Sequence, residues 1–210
     1  MNLDAPESPT ARGAPEDLCL GFANTRWWRG TDAPTDALLA PADLLGWCGG
    51  AGGLGEATLA PVAAHWQAAP AEAAAALGRA VALREALYRI FFRTAAGELP
   101  LPADLAVLNA ALAESPPRAR LRADPAGWSW SLPVAGPEVP LLLAPVLWSA
   151  GDLLAGPRLA RVRRCANDRC LWLFLDDSKA GTRRWCSMSA CGNRAKAHRH
   201  YARLRAARDA

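Results

Sequence analysis

Between Glu72 and Ala96 the stretch EAAAALGRAVALREALYRIFFRTAA sets Leu77, Val81, Arg84, Tyr88, Phe91 and Phe92 at spacings that gather them on one face of a helix. Alanine and leucine, both strong helix formers, dominate it. A second helix is predicted over roughly 102–114, where PADLAVLNAALAE starts on a proline and carries Leu105, Leu108 and Leu112 along one side. Nearer the start, DLCLGFANT opens a short helix with Asp17 at its cap, and Asp43 begins an amphipathic piece, DLLGWCGGAGGL, that the glycines end. Between them, GTDAPTDALLAPA at 30–42 has the chemistry of a loop. The period changes at 118–132, where Leu121 and the pair Trp128 and Trp130 alternate about a D-P-A-G turn, which predicts a β-hairpin. Pro140 then precedes LLLAPVLWSAGDLLAG, an apolar helix expected to kink at Pro145 and stop at Gly156.

These elements predict an α+β chain: a mostly helical N-terminal domain with a small antiparallel β-hairpin, followed by something different. Residues 1–16, rich in Pro, Ala, Glu and Asp, are expected to be a flexible tail, residues 17–160 the helical domain, and residues 161–210 a separate module. Charge marks the same division. The last fifty residues hold thirteen Lys and Arg against four Asp and Glu, a net of +9, while the preceding 160 hold eleven against sixteen, a net of −5. Such asymmetry points to nucleic acid as the partner of the basic end. The hydrophobic share of 51% excludes wholesale disorder. No run of 18 apolar residues predicts a membrane span, and the acidic start lacks the form of a secretory leader, so a cytoplasmic protein is expected.

In a reducing compartment the six cysteines are not read as disulfides. Cys19 and Cys48 stand alone in apolar surroundings and are expected to be buried hydrophobes. Cys165, Cys170, Cys186 and Cys191 form C-x4-C-x15-C-x4-C, two short-range pairs that supply four thiolates to one structural Zn2+. Four buried core cysteines or an iron–sulfur cluster would use the same residues. LWLFL at 171–175 is predicted as a strand, DDSKAG as a turn and TRRWC at 182–186 as the returning strand, a treble-clef-like four-cysteine zinc finger leading into a helix. Four cysteines close the coordination shell, so no catalytic role is expected of the metal. His198 and His200 lie beyond the last ligand and are read as solvent- or phosphate-facing donors. Without metal the segment is too short and too charged to bury a core, so binding and folding should be one event.

From Asn193 to Arg208 helical spacing gathers Arg194, His198, Tyr201 and Arg205 on one face and Lys196, Arg199 and Arg203 on the next. Arg183 and Arg184 precede the third cysteine, and Arg161, Arg163 and Arg164 the first. A solubilising helix usually mixes signs, and this one is single-signed, so Arg183, Arg184, Arg194, Lys196, Arg199 and Arg203 are the candidate DNA contacts.

The string from Cys165 to Tyr201, with LFLDDS, RRWCSM and CGNRAKAHRHY, resembles the CGNR zinc finger family. LCLGFANT at 18–25, DLLGW at 43–47, LREALYRIF at 83–91 and DLAVLNAAL at 104–112 resemble its companion domain, called ABATE. The resemblance implies a bacterial stress-induced transcription regulator whose CGNR module binds DNA and whose ABATE domain senses a small-molecule effector. It also implies an acidic residue where this chain has Gly21, so an effector contacted there in relatives would differ or be absent here.

Within the helical domain Asn24, Thr25 and Arg84 are the candidate effector contacts. Arg84 interrupts an apolar face and needs an acceptor, whether Glu85, Asp43 or a bound anion. The competing functional class is an RNA- or protein-binding adaptor whose zinc module is only a scaffold. Aromatics exposed at Trp172, Phe174 and Trp185 would favour single-strand stacking, and buried ones duplex contact. An enzyme is not expected, since no G-x-S-x-G, H-E-x-x-H, Rossmann or P-loop string occurs.

Overall fold

In the computed structural model, which describes residues 17–118, 121–124, 127–130 and 137–197, one long helix organises the front of the chain. This is α4, Pro70–Thr94, which packs against α1 (Leu18–Ala23), α2 (Pro41–Gly49), α3 (Glu56–Ala68), α5 (Pro102–Glu114) and α6 (Val139–Leu142). Its Leu83, Leu87, Ile90 and Phe91 are buried with Phe22 of α1 and Leu44 of α2. α7, Ala144–Ala155, adds Val146, Leu147 and Ala150 to the same core. The predicted helices at 72–96 and 102–114 are α4 and α5, and Arg84, Tyr88 and Phe91 are buried as their spacing requires.

Prolines place several of the starts. Pro41, Pro70, Pro102 and Pro145 each stand in the first turn of a helix, where the missing N–H removes no intrahelical bond. Pro145 therefore does not kink one helix but begins a second, α7, after a break at Leu143. Asp17 occupies the cap position of α1 but makes no capping bond to its amides. Asp43 does help begin α2: its Oδ2 accepts from the amides of Leu39 (2.9 Å) and Ala40 (2.7 Å).

Three two-stranded antiparallel pairs accompany the helices among the described residues. β3 (Leu121–Asp124) and β4 (Gly127–Trp130) form the hairpin predicted at 118–132, in the register Leu121 to Trp130. The expected loop at 30–42 contains one strand of a pair that the sequence did not announce, β1 (Arg26–Trp27) with β2 (Thr35–Asp36).

The third pair corrects the reading of the zinc module. β6, Leu173–Leu175, does not pair with 182–186, which is not a strand; it pairs with β5, Val162–Arg164, upstream of the first cysteine. The reason is visible in the period-2 alternation of a strand. Val162, Leu173 and Leu175 point into the core of the helical domain, while Phe174 points the other way, among the cysteines. Residues 182–186 have no comparable apolar face. No helix among the described residues is long and apolar enough to cross a membrane.

Candidate metal centre and nucleic-acid interface

The β5–β6 hairpin carries Cys165 and Cys170 at its tip, where the chain reverses in a tight knuckle. The amides of Cys170 and Leu171 both donate to the Asn167 carbonyl (2.8 and 3.1 Å), and Leu171 takes a φ of +56° to complete the turn. The second pair comes from a loop and a helix start. Ser187 caps the turn Met188–Gly192, accepting from the Ala190 amide at 3.3 Å, and Cys191 lies inside that turn. Gly192 is buried inside that turn, under the thioether of the exposed Met188. Residues 193–197 continue as helix.

Between the pairs the backbone is fixed by Asp176, which is fully buried. Its carboxylate accepts from the Ser178 hydroxyl (2.5 Å), the Ser178 amide (3.1 Å) and the Arg183 amide (2.8 Å), and these bonds hold it below the usual carboxylate range. The predicted DDSKAG turn therefore has a carboxylate at its centre.

The four thiols converge. All four Sγ atoms lie within 4.8 Å of one another, and Cys186 Sγ is 3.8 Å from both Cys170 Sγ and Cys191 Sγ. A tetrahedron with Zn–S bonds of about 2.3 Å has edges of about 3.8 Å, so this donor set fits a single zinc ion. Thiolates that each bind their own iron in a cluster would stand farther apart. Asn167 Nδ2 donates to Cys191 Sγ at 3.4 Å, the outer-shell bond that steadies a ligating sulfur. Four thiols this close cannot all ionise beside one another without a cation between them, so metal binding and the release of their protons are one event. Zinc held by four thiolates supplies a structural cross-link and leaves no open position for Lewis-acid chemistry. Cys19 and Cys48, by contrast, are fully buried, and burial pushes each up to about 12.

The cationic candidates divide. Arg183 lies over Phe174 (4.7 Å) and donates from Nε to the Trp185 carbonyl (2.8 Å) and from Nη2 to that of Cys186, so it braces the ligand loop from an exposed position. Arg184 lies 5.5 Å from the Trp185 ring, and Arg194 5.0 Å from the ring of Trp28 in the helical domain. Lys196 is exposed. Arg199 and Arg203, with His198, His200, Tyr201 and Arg205, lie outside the described residues. Phe174 is buried, and Trp172 and Trp185 are half-buried against the cysteine cluster.

Of the three candidate effector contacts, Asn24 reaches the module, while Thr25 and Arg84 make their bonds within the helical domain. Asn24 Nδ2 donates to the Leu173 carbonyl (2.8 Å) and its Oδ1 accepts from the Leu173 amide (3.1 Å), so one carboxamide takes the place of a strand beside β6. The Thr25 hydroxyl donates to the Phe22 carbonyl at 2.8 Å. Arg84, 1% exposed, donates to both oxygens of Asp36 (2.5 and 2.7 Å) and from Nε to Glu85 (2.9 Å). Its acceptors are therefore Glu85 and the unforeseen Asp36, while Asp43 serves α2. Arg29 makes a bidentate pair with Glu85 (2.7 and 3.0 Å). Burial would raise both carboxylates, yet Arg84 beside Asp36 and Arg29 beside Glu85 hold them below their ordinary range. A Cβ at Gly21 would meet open space.

Two further contacts cross the seam between module and domain, from Tyr88, which the sequence placed only on the apolar face of α4, and from Gly30. Tyr88 donates its hydroxyl to the Leu171 carbonyl (3.0 Å), and burial pushes it up to about 12, so it stays a donor. The Gly30 amide donates to the Arg169 carbonyl (3.2 Å), and a Cβ there would collide with the Asp168 carbonyl. Tyr88 shares a helical face with Arg84, which was the one available signal for it. Nothing in the local pattern announces Gly30.

A helical domain closed by a zinc finger of four cysteines is the class of protein these features define. The family described as "Putative stress-induced transcription regulator", ABATE, matches residues 16–157, and the CGNR zinc finger matches residues 161–204. The chain belongs to the ABATE family and carries a CGNR zinc finger behind that domain. Both are regulator and zinc-finger types, not enzyme types. No curated protein matches the chain.

Proposed function

We propose that this protein is a DNA-binding transcription regulator in which residues 161–210 contact the duplex and residues 17–160 receive an effector, with 1–16 as a tail. What supports this reading is the four-thiolate module, which sets the start of a single-signed basic segment immediately after its last ligand. Arg183, Arg184, Arg194, Lys196, Arg199 and Arg203 are its phosphate contacts. Phe174 is buried and its two tryptophan neighbours half-buried, which favours contact with a duplex backbone over the stacking of single-strand bases. An effector engaging Asn24, Thr25 or Arg84 would compete with the bonds that tie the domain to β6 and to the β1–β2 hairpin, and would loosen the zinc module.

Binding of the zinc-loaded chain to mixed-sequence duplex across a salt series tests the reading. Six phosphate contacts give a slope of log affinity against log salt of about −5. Absence of binding at low salt, or stronger competition by structured RNA than by duplex DNA, would reject it.

A further inference from the structure

Trp28 departs from local rules in two ways at one position. Its φ is +57°, in the left-handed region that a bulky side chain enters only when its surroundings impose it. Its indole Nε1–H is buried with no acceptor among the described residues. The ring is not part of the helical domain's main core. It packs with the cysteines, lining a cleft shared with Cys170, Cys186 and Cys191, and its face receives the Arg194 guanidinium.

The chain around it is pinned from both sides. The Thr31 amide and hydroxyl donate to the Trp28 carbonyl (3.0 and 2.7 Å), and Gly30 is bonded to Arg169 of the knuckle. Behind it the β1–β2 hairpin is tied to α4 by Arg84 and Asp36. Irregularities of this kind gather at functional sites, and here they sit between the helical domain and the first turn of the basic helix.

We propose that Trp28 is a positioning residue for the nucleic-acid surface: its ring holds Arg194, and with it the start of the basic helix, in the orientation that meets phosphate. A guanidinium stacked on a ring keeps its in-plane N–H donors directed outward, where a phosphate oxygen accepts them. Movement of the β1–β2 hairpin is then read out at Arg194 without any change in the metal ligands. This inference rests on the duplex-DNA reading above.

The test uses full-length zinc-loaded protein as wild type, Trp28→Ala, Trp28→Phe, Arg194→Ala and the Trp28→Ala/Arg194→Ala double variant, with zinc content and duplex affinity measured across a salt series. Trp28→Ala keeps its zinc, binds about tenfold more weakly and loses about one phosphate contact from its salt slope. Trp28→Phe, which keeps a flat ring and removes the N–H, recovers most of that loss, and the double variant is no weaker than Arg194→Ala. Should Trp28→Ala lose zinc, Trp28→Leu, which keeps an apolar wall without a ring face, is expected to show the same tenfold loss. A Trp28 variant that holds zinc and matches wild type in affinity and slope, or effects of the two positions that simply multiply, overturns the proposal. If wild type binds no duplex, the DNA reading itself fails. The positioning role is then judged by amide exchange over 192–197, which Trp28→Ala accelerates if the role is real and leaves unchanged if it is not.

Discussion

The helical domain and the zinc module meet along a seam, and they are held by different physics. In the domain, Phe22, Leu44, Leu87, Ile90, Phe91 and Leu147 are buried together, and each helix is stable because of the apolar face it hides. The module has almost nothing of this kind for itself. Its apolar strand residues Val162, Leu173 and Leu175 serve the domain's core, and what remains is Phe174 with four cysteines and half-buried tryptophans. Order in the module is thus conditional twice over, on a metal ion and on polar hooks that the domain extends through Asn24, Tyr88 and Gly30. Sequence neighbours can fold as one body by lending core residues in one direction and hydrogen bonds in the other.

Removing the metal is the strongest way to test that contrast. Chelation, or Cys186→Ser, should remove on the order of 10 kcal/mol of metal-linked folding energy. Amides over 165–172 and 182–197 should lose protection from hydrogen exchange while those of α4 keep it, and the β5–β6 strands, anchored in the domain's core, should fall between. Uniform loss of protection along the whole chain would show that the two regions do not differ in this way.

Arg84 tests the other side. Arg84→Met strands the carboxylate of Asp36, while Glu85 keeps its bidentate pair with Arg29, and should cost about 3 kcal/mol in thermal or urea unfolding, with zinc still bound in the folded fraction. Both carboxylates are depressed in the folded state, so their stabilisation is complete above their ordinary values of 3.8 and 4.5 and is lost as pH falls through the lower folded values. Wild type should therefore weaken in acid below about pH 4, and the variant should show a shallower dependence there.

Asn24→Ala should have the smallest effect and the most local one. It leaves the Leu173 amide and carbonyl unpaired beside the seam, at a cost of about 2 kcal/mol. Faster exchange at Leu173 and in the knuckle, with little change in α5 or α7, is expected. An equal change throughout the domain would mean that Asn24 supports the core instead of the join.

Much of this was legible in the residues because it depends on local periodicity or on covalent spacing. Leu77 to Phe92 recur as a helix recurs, Pro102 opens α5, Trp128 and Trp130 alternate as a strand does, and C-x4-C-x15-C-x4-C marks a closed thiolate shell. The helix and strand signals lie within a turn or two of chain, where backbone geometry alone relates one side chain to the next, and the cysteines declare themselves as two short-spaced pairs of one residue type. Partner choice depends on distance through space, and there the sequence is silent. That β6 turns to 162–164 instead of 182–186 follows from an apolar face presented by helices more than 70 residues earlier. That Arg84 takes Asp36, that Asn24 completes a strand edge, and that Trp28 lies beneath Arg194 follow from the same packing. The chain by itself determined α1, α2, α4 and α5 and which sulfurs would share an ion, though not α3, which it left unread. Only tertiary structure decided which polar groups meet, because burial leaves each of them an acceptor or donor chosen by position in space.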